Sequence, residues 1–99
     1  MSNDLAGQDR LYVRATIRTR TLDEKAPWRK HPGQEFLFVL TGTLTLHTEA
    51  YLPLTLKSGD SIAFDSSMGH KYVASSRGKV EVLMAVQGSG YTDVDEVPY

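Results

Sequence analysis

The chain contains no cysteine, which excludes disulfide frameworks, zinc ribbons, thiol catalysis and cysteine-based redox sensing. It also lacks any marked charge imbalance. With 11 basic and 12 acidic residues and a net charge of -1, it offers no general electrostatic case for binding nucleic acid. Helical periodicity is missing too, so a helix-turn-helix has no stretch in which to sit. The opening MSNDLAGQDR has no apolar core of the kind a secretory signal needs, and no later apolar run approaches membrane-spanning length. These absences lead us to expect a soluble, cytoplasmic domain with no membrane partner and no direct contact with nucleic acid.

What is present is a succession of short strand signals separated by turn signals. Residues 11–18 alternate strictly, with Leu11, Val13, Ala15 and Ile17 on one face and Tyr12, Arg14, Thr16 and Arg18 on the other. A long polar connection over 19–30 follows, and further strands are expected over 35–40, 44–46, 51–56, 61–64, 70–73 and 80–86. Pro53 lies opposite the Leu52, Leu54 and Leu56 parity, which suggests an edge strand. The pattern predicts an all-β barrel or sandwich. At 99 residues it is a single domain, able to bury about 60 to 70% of its unfolded surface. We expect a lead over 1–10, the domain itself over 11–86 and an acidic, Gly-containing arm over 87–99.

The densest stretch is HPGQEFLFVLTG, from His31 to Gly42. His31 and Glu35 are four apart, which in a straight strand would separate them by about 13 Å, too far to share one ion. Pro32-Gly33 removes the obstacle, because Gly can take positive φ and let the chain turn between them. From Phe36 to Leu40 every position is apolar, so both faces of this strand require cover. Glu35, Leu37 and Val39 are expected inside. Phe36, Phe38 and Leu40 would then face the N-terminal strand or, preferably, a second subunit. Thr41-Gly42-Thr43 reads as a hairpin turn into the next strand.

His31, Glu35 and Gly42 follow a spacing of three and then six intervening residues, and GDSIAFDSSMGH supplies a second glycine-to-histidine interval from Gly59 to His70. Two such motifs in this order resemble those of the cupin family, over about residues 11–86. The nearest likeness is to the small domains attached to bacterial XRE-type helix-turn-helix regulators, which carry "HxGxEFxYVLxG" and "LxxGDSxxFDSSxxH". The resemblance implies a double-stranded β-helix, or jelly-roll barrel, with His31, Glu35 and His70 gathered in one site. It also implies that a divalent metal such as zinc, nickel, iron or manganese can occupy that site, and that two copies pair as a homodimer.

Departures from the family pattern bear on the chemistry more than on the fold. Arg29 stands where the family's first motif begins with histidine, and a guanidinium cannot ligate a metal. Its planar fork could instead bind a carboxylate or phosphate. Asp65 and Ser67 replace the family's proline and glycine, and Ala74 its trailing asparagine. Of the seven basic residues between 10 and 30, Arg14 and Arg18 read as a solvated strand face. His47 lies on a solvent-facing parity, and Met68 and Met84 read as packing residues. The sequence thus favours a ligand-binding domain, the effector-sensing part of a regulator whose DNA-binding domain lies elsewhere. The alternative is a small metal-dependent enzyme, a dioxygenase or isomerase acting on a small organic acid.

Overall fold

Branched and aromatic residues at every second position give seven strands and, among the described residues, no helix. The fold was obtained as a computed structural model, which describes residues 10–87. The strands are β1 Arg10–Thr16, β2 Gln34–Thr41, β3 Thr43–Thr48, β4 Leu54–Lys57, β5 Ser61–Asp65, β6 His70–Ala74 and β7 Glu81–Gln87. They form two antiparallel sheets, one ordered β1-β7-β2-β5 and the other β4-β3-β6. This is the expected jelly roll. The lead over 1–10 and the arm over 87–99 lie outside the described residues, except that Arg10 and Gln87 end the β1–β7 ladder. No helix among the described residues is long and apolar enough to cross a membrane.

The core lies between the sheets and is built by strand parity. Leu37, Val39, Val82 and Met84 from one sheet meet Leu44, Leu46, Leu56, Tyr72 and Ala74 from the other, with Ile17 and Val80 closing one end. Met84 is thus a packing residue, as expected. Val13, Ala15, Ile62 and Phe64 pack around this cluster. The opposite parity of the larger sheet stays apolar and open. Tyr12, Phe36 and Leu83 are 59%, 39% and 38% exposed, and Phe38 is half-buried beside Leu83. β1 pairs edge-on with β7 in this same sheet, so the N-terminal strand does not provide the cover that the outer face of β2 requires.

One turn departs from the sequence reading. The bend at Gly42 is not a hairpin, because β2 and β3 belong to different sheets. β2 is already flanked by β5 and β7, leaving no free edge on which β3 could pair. The chain therefore crosses to the other sheet through a single residue, and β3 makes its hairpin with β4. β4 is an edge strand, as Pro53 suggested, but it starts at Leu54, leaving residues 51–53 outside it.

Gly42 has φ +84°, and a Cβ there would sit 2.8 Å from Val80 Cγ2 and 2.9 Å from the Lys79 carbonyl oxygen. Both the left-handed backbone and the close approach demand glycine. Gly42→Ala is expected to cost about 2 to 4 kcal/mol in urea unfolding, and an unchanged midpoint would show that the crossing tolerates a side chain.

Candidate metal centre

His31, Glu35 and His70 arrive at one place from three local devices. The first is the Pro32-Gly33 turn, in which Gly33 adopts φ 100°, as its sequence position required. Ser66 clamps this turn: its N–H and Oγ both donate to the Gly33 carbonyl, at 3.0 and 2.8 Å, and its own carbonyl accepts from His31 N at 2.9 Å. His31 is thereby fixed just ahead of β2 rather than within a strand. Glu35 follows as the second residue of β2, on the inward parity and with no solvent exposure.

The third device is the turn before β6. Asp65 Oδ1 accepts from Ser67 N at 2.9 Å and Ser67 Oγ at 2.6 Å, so the residues that replace the family's proline and glycine build the turn by hydrogen bonding. These bonds hold the exposed Asp65 carboxyl below its usual range. The turn delivers His70 to the first position of β6, with its side chain fully buried.

The donor atoms converge. His31 Nε2 lies 3.0 Å from Glu35 Oε1, and His70 Nε2 lies 3.7 Å from the same oxygen. One ligand atom from each residue lies within 4.8 Å of the others. Although these approaches are close, neither Glu35 Oε1 nor His70 Nε2 has a hydrogen-bond partner among the described residues. Buried polar atoms in that condition are costly unless something else meets them, and a cation is what two imidazoles and a carboxylate jointly suit. The donor set therefore fits a divalent metal.

Neighbouring groups set each ligand's state. His70 Nδ1 faces the Met68 carbonyl oxygen at 2.9 Å, and since that oxygen can only accept, Nδ1 carries the proton and Nε2 presents its lone pair. Burial pushes the His70 imidazole below its ordinary value of 6.5, with the His31 and Arg29 charges acting in the same direction. The Met68 bond and the Glu35 carboxylate oppose that shift without cancelling it. The neutral, ligating form is favoured as a result. The rings of His31 and Phe64 pack edge-on against His70, at 5.3 and 5.1 Å between centroids.

Tyr72 was not singled out from the sequence, yet it belongs to the site. Its hydroxyl donates to Glu35 Oε2, leaving Oε1 turned toward the histidines. The available signal was parity: on β6, His70 and Tyr72 share a face.

Arg29 forms an isolated bridge with His70, with N–H···O bonds of 3.2 and 3.1 Å in the two directions. Directly opposed antiparallel residues share a face, so Arg29 starts out on the His70 side. It also borders, with Tyr72, a hollow of about 360 Å³ beneath the loop that carries Leu22, Asp23 and Pro27. His47 is half-buried on the outer parity of β3, opposite Lys71.

Tyr72→Phe removes the hydroxyl that donates to Glu35 Oε2 while keeping the ring. It should destabilise the metal-free protein by about 1 to 3 kcal/mol, the cost of a buried acceptor left unmet. A smaller loss on denaturant unfolding would mean that the hydroxyl does not hold the carboxylate.

The geometry can be set beside known proteins. The pattern of Cupin_2, described as a cupin domain, matches residues 21–97. No curated protein matches the sequence. Among solved structures, a cupin-2 domain containing protein from Shewanella frigidimarina NCIMB 400 aligns with a TM-score of 0.64 at 17% identity, covering 81% of this chain and 72% of that one. Hydroxypropylphosphonic acid epoxidase from S. wedmorenis aligns with a TM-score of 0.68 at 21% identity, covering 79% of this chain and 43% of that one. Iron(II) HppE in complex with substrate gives a TM-score of 0.68 at 22% identity, over 79% and 45% of the two chains. This chain thus spans under half the length of those enzymes, and at these identities the likeness is one of fold. With its match to residues 21–97, its two-sheet jelly roll and its His-Glu-His cluster between the sheets, the chain belongs to the cupin family.

Proposed function

We propose that this chain is a cytoplasmic, metal-dependent ligand-binding cupin domain that holds a divalent cation on His31, Glu35 and His70 and a small anionic molecule beside it. One observation carries the reading: Nε2 of His70 and Oε1 of Glu35 are buried, aimed at one point and unmet by hydrogen bonds among the described residues. When bound, a divalent cation with three protein ligands supplies Lewis acidity and open coordination positions. Met68 and Tyr72 keep two of the ligands in register for it. Arg29, whose charge is felt at His70, adds a positive field that favours an anionic ligand and weakens the metal's hold. The likeness of both motifs to regulator domains supports effector sensing as the biological role, with DNA contact made by a domain outside this chain.

A second reading, a small metal-dependent enzyme acting on an organic acid, draws on a specific observation. Iron(II) HppE, which shares this fold, has been solved in complex with substrate. Catalytic turnover of a small acid by the free-standing metal-loaded chain would favour the enzyme, whereas tight binding without turnover favours the sensor.

We further propose that the outer face of β2, Phe36, Phe38 and Leu40, with Leu83 of β7 beside Phe38, is where two copies pair about a two-fold axis, since the larger sheet is apolar there and β1 leaves it uncovered. Phe38→Glu should yield a monomer or an aggregate in sedimentation. Association that persists unchanged would reject this surface.

Calorimetric titration with zinc or nickel tests the centre itself. One metal per chain is expected, with affinity falling at least about 100-fold in His70→Ala, because a ligand and its neutral lone pair are both lost. Arg29→His should raise metal affinity and weaken the binding of small carboxylates. Equal affinities in wild type and Arg29→His would mean that Arg29 neither opposes the metal nor selects the ligand.

A further inference from the structure

Beside the His-Glu-His cluster the barrel wall is open. β4 and β5 are edge strands of opposite sheets, and the space between them is a groove of about 530 Å³. Leu46, Leu54, Ile62, Phe64 and Met68 line it, while Tyr51 and Leu52 stand at its rim, 72% and 89% exposed. The groove and the metal centre share a wall. Phe64 lines the groove and packs its ring 5.1 Å from the His70 ring, and Met68 lines it while its carbonyl holds His70 Nδ1.

We propose that this groove receives the apolar tail of a carboxylate whose head lies at the metal centre, so that the chain selects medium-length alkyl or aryl carboxylates over short ones. The inference rests on the metal-centred reading above and gives that site its ligand class. Charge fixes the direction of binding. Among the described residues no Lys or Arg lines the groove, and Asp65 does, so an anionic head is disfavoured there. The cationic end is the metal centre with the nearby Arg29 charge. Shape favours a small molecule over a protein segment, because the volume lies within the roughly 300 to 1,000 Å³ of small-molecule pockets. The groove also narrows the ligand chemistry: a short acid such as acetate does not reach the apolar surface that Leu54, Ile62 and Phe64 present to it.

The test is calorimetric titration of the zinc-loaded protein with acetate, butanoate, hexanoate and octanoate, in wild type, Leu54→Glu and Leu52→Glu. Leu52 is 89% exposed, so its variant keeps the experiment informative should Leu54→Glu fail to fold. In wild type, affinity should rise about two- to four-fold for each methylene beyond butanoate. In the variants that gradient should flatten while acetate affinity stays within about two-fold, since apolar contact is lost only along the tail. A flat series in wild type, with zinc and acetate still binding, overturns the groove and leaves the metal centre standing. Absence of zinc binding overturns both, and zinc binding with no detectable binding of any of the four acids overturns the carboxylate assignment. If Leu52→Glu splits a dimer in sedimentation yet leaves the chain-length gradient intact, the groove is a contact between copies and the proposal fails.

Discussion

A carboxylate with no solvent exposure lies between the two sheets, and the site is arranged around the need to satisfy it. Glu35 is placed there by the alternation of β2, the same alternation that puts Leu37 and Val39 in the core. Burying an ionised carboxylate is expensive unless it is paired or coordinated. Tyr72 meets one oxygen, and the two histidines approach the other. Replacing Glu35 with an apolar residue would suit the barrel better as a core. Its presence among Leu, Val and Met is what the proposed metal role requires.

The remaining features follow from how the barrel brings distant segments to that oxygen. Three crossings between sheets, at Gly42, over 58–60 and over 66–69, set the strands that carry Glu35 and His70 face to face. Ser66 belongs to the last of these crossings and clamps the Pro32-Gly33 turn of His31, so one buried serine ties the positions of both imidazoles together. Lys71 anchors the 19–30 loop from outside the barrel, donating to the Asp23 carbonyl at 2.8 Å and lying 4.6 Å over the Trp28 ring. That loop carries Arg29 to the bridge with His70.

Much of this was legible in the sequence because parity and turn chemistry are local. The inward set Glu35, Leu37 and Val39, the positive φ of Gly33 and the edge position of β4 follow from period-two patterning and from what Pro and Gly permit. The Gly42 turn differs from its sequence reading for a non-local reason. A glycine announces a bend, but whether the next strand pairs or crosses depends on which edges distant strands β5 and β7 already occupy. Tyr72 escaped notice because a tyrosine in a strand reads as core, and its role depends on a carboxylate 37 positions away. The groove was hidden likewise: Tyr51 and Leu52 carry strand-forming side chains, yet β4 begins only at Leu54.

Every function proposed for this chain depends on a cation at the point where His31 Nε2, Glu35 Oε1 and His70 Nε2 meet. The most direct measurement is elemental analysis of the protein purified without chelators or a metal column, run beside Glu35→Gln prepared identically. The expected result is close to one transition-metal ion per chain in the wild type and a marked loss in the variant. Metal-free wild type that also takes up no zinc, nickel, iron or manganese on addition, or metal retained equally by Glu35→Gln, would contradict it.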